Sequence, residues 1–145
     1  MRPARTPIGL QLTRAARVVG RSFDDALAEA GGSLPVWLVL LNLKARRVAN
    51  QRELADAVGV REATLTHHLN AMEAGGLLTR RRAQDNRRIH VVELTAAGEA
   101  DFLRLRDAAV AFDRRLRRGV TSDELAQLAD ILNRLAANVG AREEG

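Results

Sequence analysis

Asn50-Gln51-Arg52-Glu53-Leu54-Ala55-Asp56-Ala57-Val58-Gly59-Val60-Arg61-Glu62-Ala63-Thr64-Leu65-Thr66-His67-His68-Leu69 is the stretch whose reading decides the fold. Asn50 is a good helix N-cap, and Glu53 follows at the three-residue spacing of a capping box. The pattern predicts a helix over about residues 51–58 that buries Leu54, Ala55 and Val58. Gly59 makes a tight turn and Val60 packs inward. A second helix follows over about residues 61–74. Two short helices joined at a glycine form a helix-turn-helix.

The second helix carries the most information. Advancing about 100° per residue from Leu65 puts Leu65, Leu69 and Met72 on one buried face. Ala63, His67 and Asn70 point away from it, with Thr64 and Thr66 on the flanks. A solvated helix face ordinarily carries Glu, Lys and Arg at such positions. Short polar side chains can instead approach base edges: Thr through methyl or hydroxyl, Asn to adenine, His to guanine. His67 and His68 are neighbours in sequence, so they diverge by about 100° and do not chelate one ion as an i, i+4 pair could. His68 falls nearer the buried face as a half-packed structural residue. No metal site is expected.

Gly75-Gly76 stops this helix. Residues 77–82 and 89–94 then read as two strands, with residues 83–88 as their turn. Arg80, Arg81, Arg82, Arg87 and Arg88 gather on this hairpin, which therefore suits the backbone and minor groove of a duplex. Residues 46–49 read as a short link or one strand.

The flanks are helical. Ile8, Leu12, Ala16, Val19, Phe23 and Leu27 repeat at steps of three and four, a helical stripe that Gly31-Gly32 closes. Ser33 caps a second helix of about residues 34–45, apolar nearly all round and hence buried. Trp37 on it is expected to fill the core rather than line a pocket. Thr95 caps a long helix over about residues 96–118, striped by Phe102, Leu105, Ala109, Phe112 and Leu116. Thr121 and Glu124 form a second capping box. Leu125, Leu128, Leu132, Leu135 and Val139 continue as a heptad seam too short for a freestanding coiled coil. Residues 141–145 are expected to fray.

Composition bounds the rest. The 145 residues suit one domain with a real core, and 46% hydrophobic content argues against disorder. Lys+Arg 23 against Asp+Glu 18 leaves a net charge of +5, concentrated on the hairpin. With no cysteine there is no disulfide, thiolate metal site or thiol redox sensor. The most apolar run, Leu34 to Leu43, is about half a membrane span. No membrane association is expected, and a cytoplasmic location is. No nucleophile elbow, phosphate loop or metal-ligand spacing appears, so no enzyme, catalytic residue or cofactor is expected.

In order and spacing, Glu53-Leu54-Ala55, Val58-Gly59-Val60, Thr64-Leu65-Thr66, Leu69, Met72-Glu73, Gly76-Leu77-Leu78 with Arg80, Asp85-Asn86-Arg87-Arg88 and Leu94-Thr95 with Gly98 resemble the MarR-type winged-helix transcription regulators. The likeness covers nearly the whole chain. It implies a mainly α fold with a small β-wing: a winged helix-turn-helix over about residues 34–95, and dimerisation helices over about 6–31 and 96–140. It further implies a homodimer on double-stranded DNA, with a palindromic operator whose half-sites lie about one turn, roughly 10 bp, apart. Repression is the usual outcome in such a family. A small ligand of unassigned identity between dimer helices and winged helix is a common form of control.

Carried over position by position, Thr64, Thr66 and His67 match the family's reading face, and its wing arginine matches Arg87 or Arg88. DNA contacts are therefore expected from Arg61, Ala63, Thr64, Thr66, His67 and Asn70 on the helix, and from Arg80, Arg82, Asp85, Asn86, Arg87 and Arg88 on the wing. Gln51 is expected to meet a phosphate at the start of its helix. The family's usual spacing, counted back from Leu94-Thr95, sets Asn86 in place of the wing's acid and Arg88 as its arginine. A wing one residue longer makes Asp85-Asn86-Arg87 the motif. Arg61 stands where the family commonly has a Ser or Thr cap. The alternative to a DNA reader is a dimerisation or protein-docking module on the same fold.

Overall fold

A computed structural model describes residues 5–45, 50–82 and 90–140, with His90 described by its backbone. In chain order the elements are α1 (Ile8–Glu29), α2 (Leu34–Ala45), α3 (Gln51–Val58), α4 (Glu62–Ala74), β1 (Leu78–Arg82), β2 (His90–Leu94), α5 (Ala96–Leu116) and α6 (Ser122–Gly140). The fold is mainly α with one small antiparallel sheet, as the sequence pattern predicts. The chain divides into two compact units, Met1–Phe112 and Asp113–Gly145. No single helix among the described residues is long and apolar enough to cross a membrane.

The capping chemistry forms as its residue types dictate. The Asn50 side chain accepts from the Glu53 N–H at 2.8 Å, and Ser33 Oγ accepts from the Val36 N–H at 3.4 Å. Thr121 Oγ1 accepts from the Glu124 N–H at 3.1 Å, while Glu124 Oε1 accepts from the Thr121 N–H at 3.0 Å, a reciprocal capping box. The turn between α3 and α4 rests on Gly59, whose φ of 78° is left-handed. There the Val60 N–H reaches back to the Ala55 carbonyl at 3.1 Å. A Cβ at residue 59 would meet nothing within 4 Å, so it is the left-handed backbone rather than crowding that favours glycine here.

Three boundaries fall slightly inside the predicted ones. Arg61 is extended (φ −70°, ψ 152°) and stands outside α4 as its N-cap, without a side-chain cap bond. Leu77 is spent on closing α4, its N–H donating to the Met72 carbonyl at 2.9 Å, so β1 starts at Leu78. Before Gly119 the backbone tightens, with Arg118 N–H bonding the Arg115 carbonyl, so α5 ends at Leu116 rather than Arg118. Residues 46–49, with their possible strand, and the tail 141–145 lie outside the described residues.

One apolar cluster holds the first unit. Leu27, Trp37, Val39, Leu40 and Leu43 meet Leu54, Ala55 and Val58 of α3, Leu65, Leu69 and Met72 of α4, Leu78 and Val92 of the sheet, and Phe102 and Leu105 of α5. Trp37 is a core residue, stacked on Phe102 with ring centroids 5.7 Å apart. Phe23 stacks likewise on Phe112 at 4.9 Å. Thus α2 is the hub on which the helix-turn-helix, the sheet and α5 are hung, which explains why it is apolar nearly all round.

The hairpin's base is pinned to α5. The Thr95 hydroxyl donates to the Gly76 carbonyl and accepts from the Gly98 N–H at 3.1 Å. The Thr95 N–H donates to the Leu77 carbonyl at 3.1 Å. Gly98 lies so close to that backbone that an added Cβ would stand 2.0 Å from the Leu77 oxygen.

Candidate nucleic-acid interface

Burial of Leu65, Leu69 and Met72 fixes the rotation of α4 about its axis. Ala63, Thr64, Thr66, His67 and Asn70 are all exposed, while His68 is half-buried. No acidic residue occurs from Ala63 to Asn70. His67 and His68 tilt apart, their rings 5.9 Å between centroids and 60° between planes. Among the described residues no group of three His, Cys, Asp or Glu side chains could hold a metal ion.

The exposed face divides into free and engaged side chains. The Thr66 hydroxyl donates to the Glu62 carbonyl at 2.9 Å and accepts from Gln51 Nε2 at 3.4 Å. Gln51 thereby ties the start of α3 to α4, and its amide nitrogen is turned to a neighbour. The Asn70 Oδ1 accepts from Arg80 Nη2. That leaves Ala63, Thr64 and His67 as the part of the face held by no side-chain hydrogen bond among the described residues.

The sheet register explains where the wing arginines go. Leu78 pairs with Leu94, Arg80 with Val92, and Arg82 with His90. Alternation puts Leu78 and Arg80 on the face that packs inward, and Thr79 and Arg81 on the other. The Arg80 side chain is accordingly only 19% exposed, and its Nε donates to Glu73 Oε2 at 3.1 Å. The same bond from Arg80 holds the Glu73 carboxyl below its ordinary pKa. Arg81 faces solvent and pairs with Glu93 at 3.0 Å. Arg82 is exposed and has no ion-pair partner among the described residues. Asp85, Asn86, Arg87 and Arg88 lie outside the described residues, so both wing registers remain as the sequence leaves them.

Helix-face counting matches the exposed and buried sides of α4 but missed the contacts of Glu73 and Gln51. A signal for Glu73 was present: it lies three residues after Asn70 on one side of α4, and strand alternation turns Arg80 toward that side.

Comparison with known proteins agrees with this fold. The sequence model of the MarR family matches residues 33–90. The chain is 30% identical to the transcriptional regulator PA3341, over 94% of this chain and 100% of that one, with a TM-score of 0.78. It is also 30% identical to the transcriptional repressor CouR bound to a 23-mer DNA duplex, over 90% of this chain and 92% of that one, with a TM-score of 0.80. CouR from Rhodococcus jostii RHA1 bound to p-coumaroyl-CoA shares the fold at 22% identity, over 94% and 96% of the two chains, with a TM-score of 0.79.

Proposed function

The chain belongs to the MarR family of DNA-binding transcription regulators, and on that premise we propose that it is a repressor acting as a homodimer on a palindromic operator. The observation that carries this reading is the run of α4 from Ala63 to Asn70, whose exposed side carries no acidic residue, with Thr64 and His67 held by no side-chain hydrogen bond among the described residues. In this reading residues 34–95 form the winged helix-turn-helix and its α4 enters the major groove. There Ala63, Thr64, Thr66, His67 and Asn70 face base edges, while Arg61 and Gln51 lie nearest phosphate. Arg82 and the wing segment with Asp85, Asn86, Arg87 and Arg88 grip the backbone and minor groove.

Residues 6–31 and 96–140 serve the dimer. What supports this is apolar surface that a lone chain leaves bare: Ile8 is 62% and Val18 69% exposed on α1, and α6 buries no residue at all. A two-fold protein calls for an inverted-repeat site. A small molecule that favours one spacing of the two α4 helices over another would shift the population between DNA-compatible and incompatible dimers.

Fluorescence anisotropy with duplex DNA flanking the protein's own gene tests the reading. Binding should be selective over unrelated duplex and fall steeply with added salt, as bound counterions are released. No selective, salt-sensitive binding would leave the protein-docking alternative in its place.

A further inference from the structure

Of the three arginines on β1, Arg80 is turned inward, and it touches the very side chain that α4 would offer to an adenine. We propose that Arg80 is a positioning residue for base recognition. It locks the Asn70 amide with its nitrogen outward, so that Asn70 reads a base-edge acceptor and favours guanine over adenine. This rests on the reading of α4 as the recognition helix and specifies one position of its code.

The amide orientation follows from chemistry. A guanidinium carries only donors, so the Asn70 atom that faces Arg80 Nη2 must be its oxygen. Arg80 is held in turn by Glu73, whose Oε2 accepts from Nε at 3.1 Å. The guanidinium's rigid plane is thus engaged by two side chains of one helix, three residues apart. The strand fixes the other end, because Arg80 stands in register with the buried Val92. Asn70 therefore does not swing freely, although it is exposed.

An asparagine pairs with adenine through both ends of its amide, donating to N7 and accepting from the N6 amine. Here the oxygen already serves a cation. Adenine would bring a further donor to a spot where a guanidinium stands. Guanine offers the acceptors N7 and O6 along the same edge, which suit the outward Nδ2 donors and the nearby positive charge. Arg80 acts through Asn70 and need not touch DNA.

The test is competitive binding to duplexes in which each base pair of the selected site is replaced in turn, for the wild type and four variants. Asn70→Ala marks the pair that residue 70 reads. At that pair the wild type should prefer guanine to adenine by about tenfold. Arg80→Met and Arg80→Lys should both bring that preference near parity, leaving other positions and the salt slope unchanged, since lysine keeps the charge but lacks the fork. Asn70→Asp keeps the shape and turns the outward atom into an acceptor, so the preference should move to cytosine, whose N4 amine donates.

Adenine preferred at the Asn70-dependent pair overturns the proposal. So does an Arg80→Met that weakens every duplex equally and flattens the salt slope, which would make Arg80 a phosphate contact. If Arg80→Met fails to fold, the wild-type preference and Asn70→Asp decide. A wild type with no base preference anywhere would overturn the recognition-helix reading itself, and that failure is visible before any variant is made.

Discussion

Thr66 and Asn70 both sit on the exposed side of α4, yet each has spent part of its hydrogen-bonding capacity inside the protein. His67 makes no side-chain hydrogen bond among the described residues, and it is the side chain on which sequence selectivity should depend most. His67→Ala should weaken binding to the preferred site about tenfold while nonspecific binding stays constant. Equal loss on all duplexes would make it a backbone contact. Glu73 offers a pH signature. Its folded pKa is lowered, first by the hydrogen bond from Arg80, so its stabilising contribution is present above the ordinary carboxylate value of 4.5. The contribution is lost as pH falls through the depressed folded value. Glu73→Gln should therefore flatten the acid limb of stability, read as denaturation midpoints from neutral pH down through the carboxylate range. Identical acid limbs in the two proteins would contradict the pairing.

At the scale of elements, the junction of the hairpin and α5 is tightly constrained. An alanine in an ordinary exposed helix gains up to about 1 kcal/mol over glycine. At residue 98 the added Cβ would stand 2.0 Å from a backbone oxygen that no side-chain rotation can move aside. Strain wins, and Gly98→Ala should lower stability by about 1–3 kcal/mol in a chemical denaturation curve. A gain would show that α5 does not lie where the structure puts it.

The elements themselves were largely legible in the sequence, because their signals are local. Asn50 with Glu53 opens α3, Gly59 turns it, and Thr121 with Glu124 opens α6, each within a few residues. The candidate site was legible only in part. Counting faces treats α4 as an isolated cylinder and so places Asn70 among the free readers. Its partner Arg80 lies ten residues on, in a strand whose register depends on β2, and Thr66 is filled by Gln51 from the helix before. Pairings across elements emerge only when the faces of both elements are read together, and they decide which of the exposed side chains are available.

At the scale of the molecule, the excess charge of +5 and the bare apolar stripes point to two different partners. Leu128 and Leu132 on α6 are 49% and 37% exposed, and Ile131 is 43%. Large apolar groups at this spacing mark an association surface. If the proposed dimer forms through α6, Leu128→Arg with Leu132→Asp should leave a monomer in sedimentation velocity and abolish tight operator binding. A wild type that sediments as a monomer, or a variant of unchanged mass, would contradict that contact. Selecting bound duplexes from a randomised library with the purified protein asks whether it reads duplex sequence as a two-fold dimer. An inverted repeat whose half-sites are centred about one helical turn, roughly 10 bp, apart is expected. A single unrepeated motif, or no enrichment at all, would contradict it.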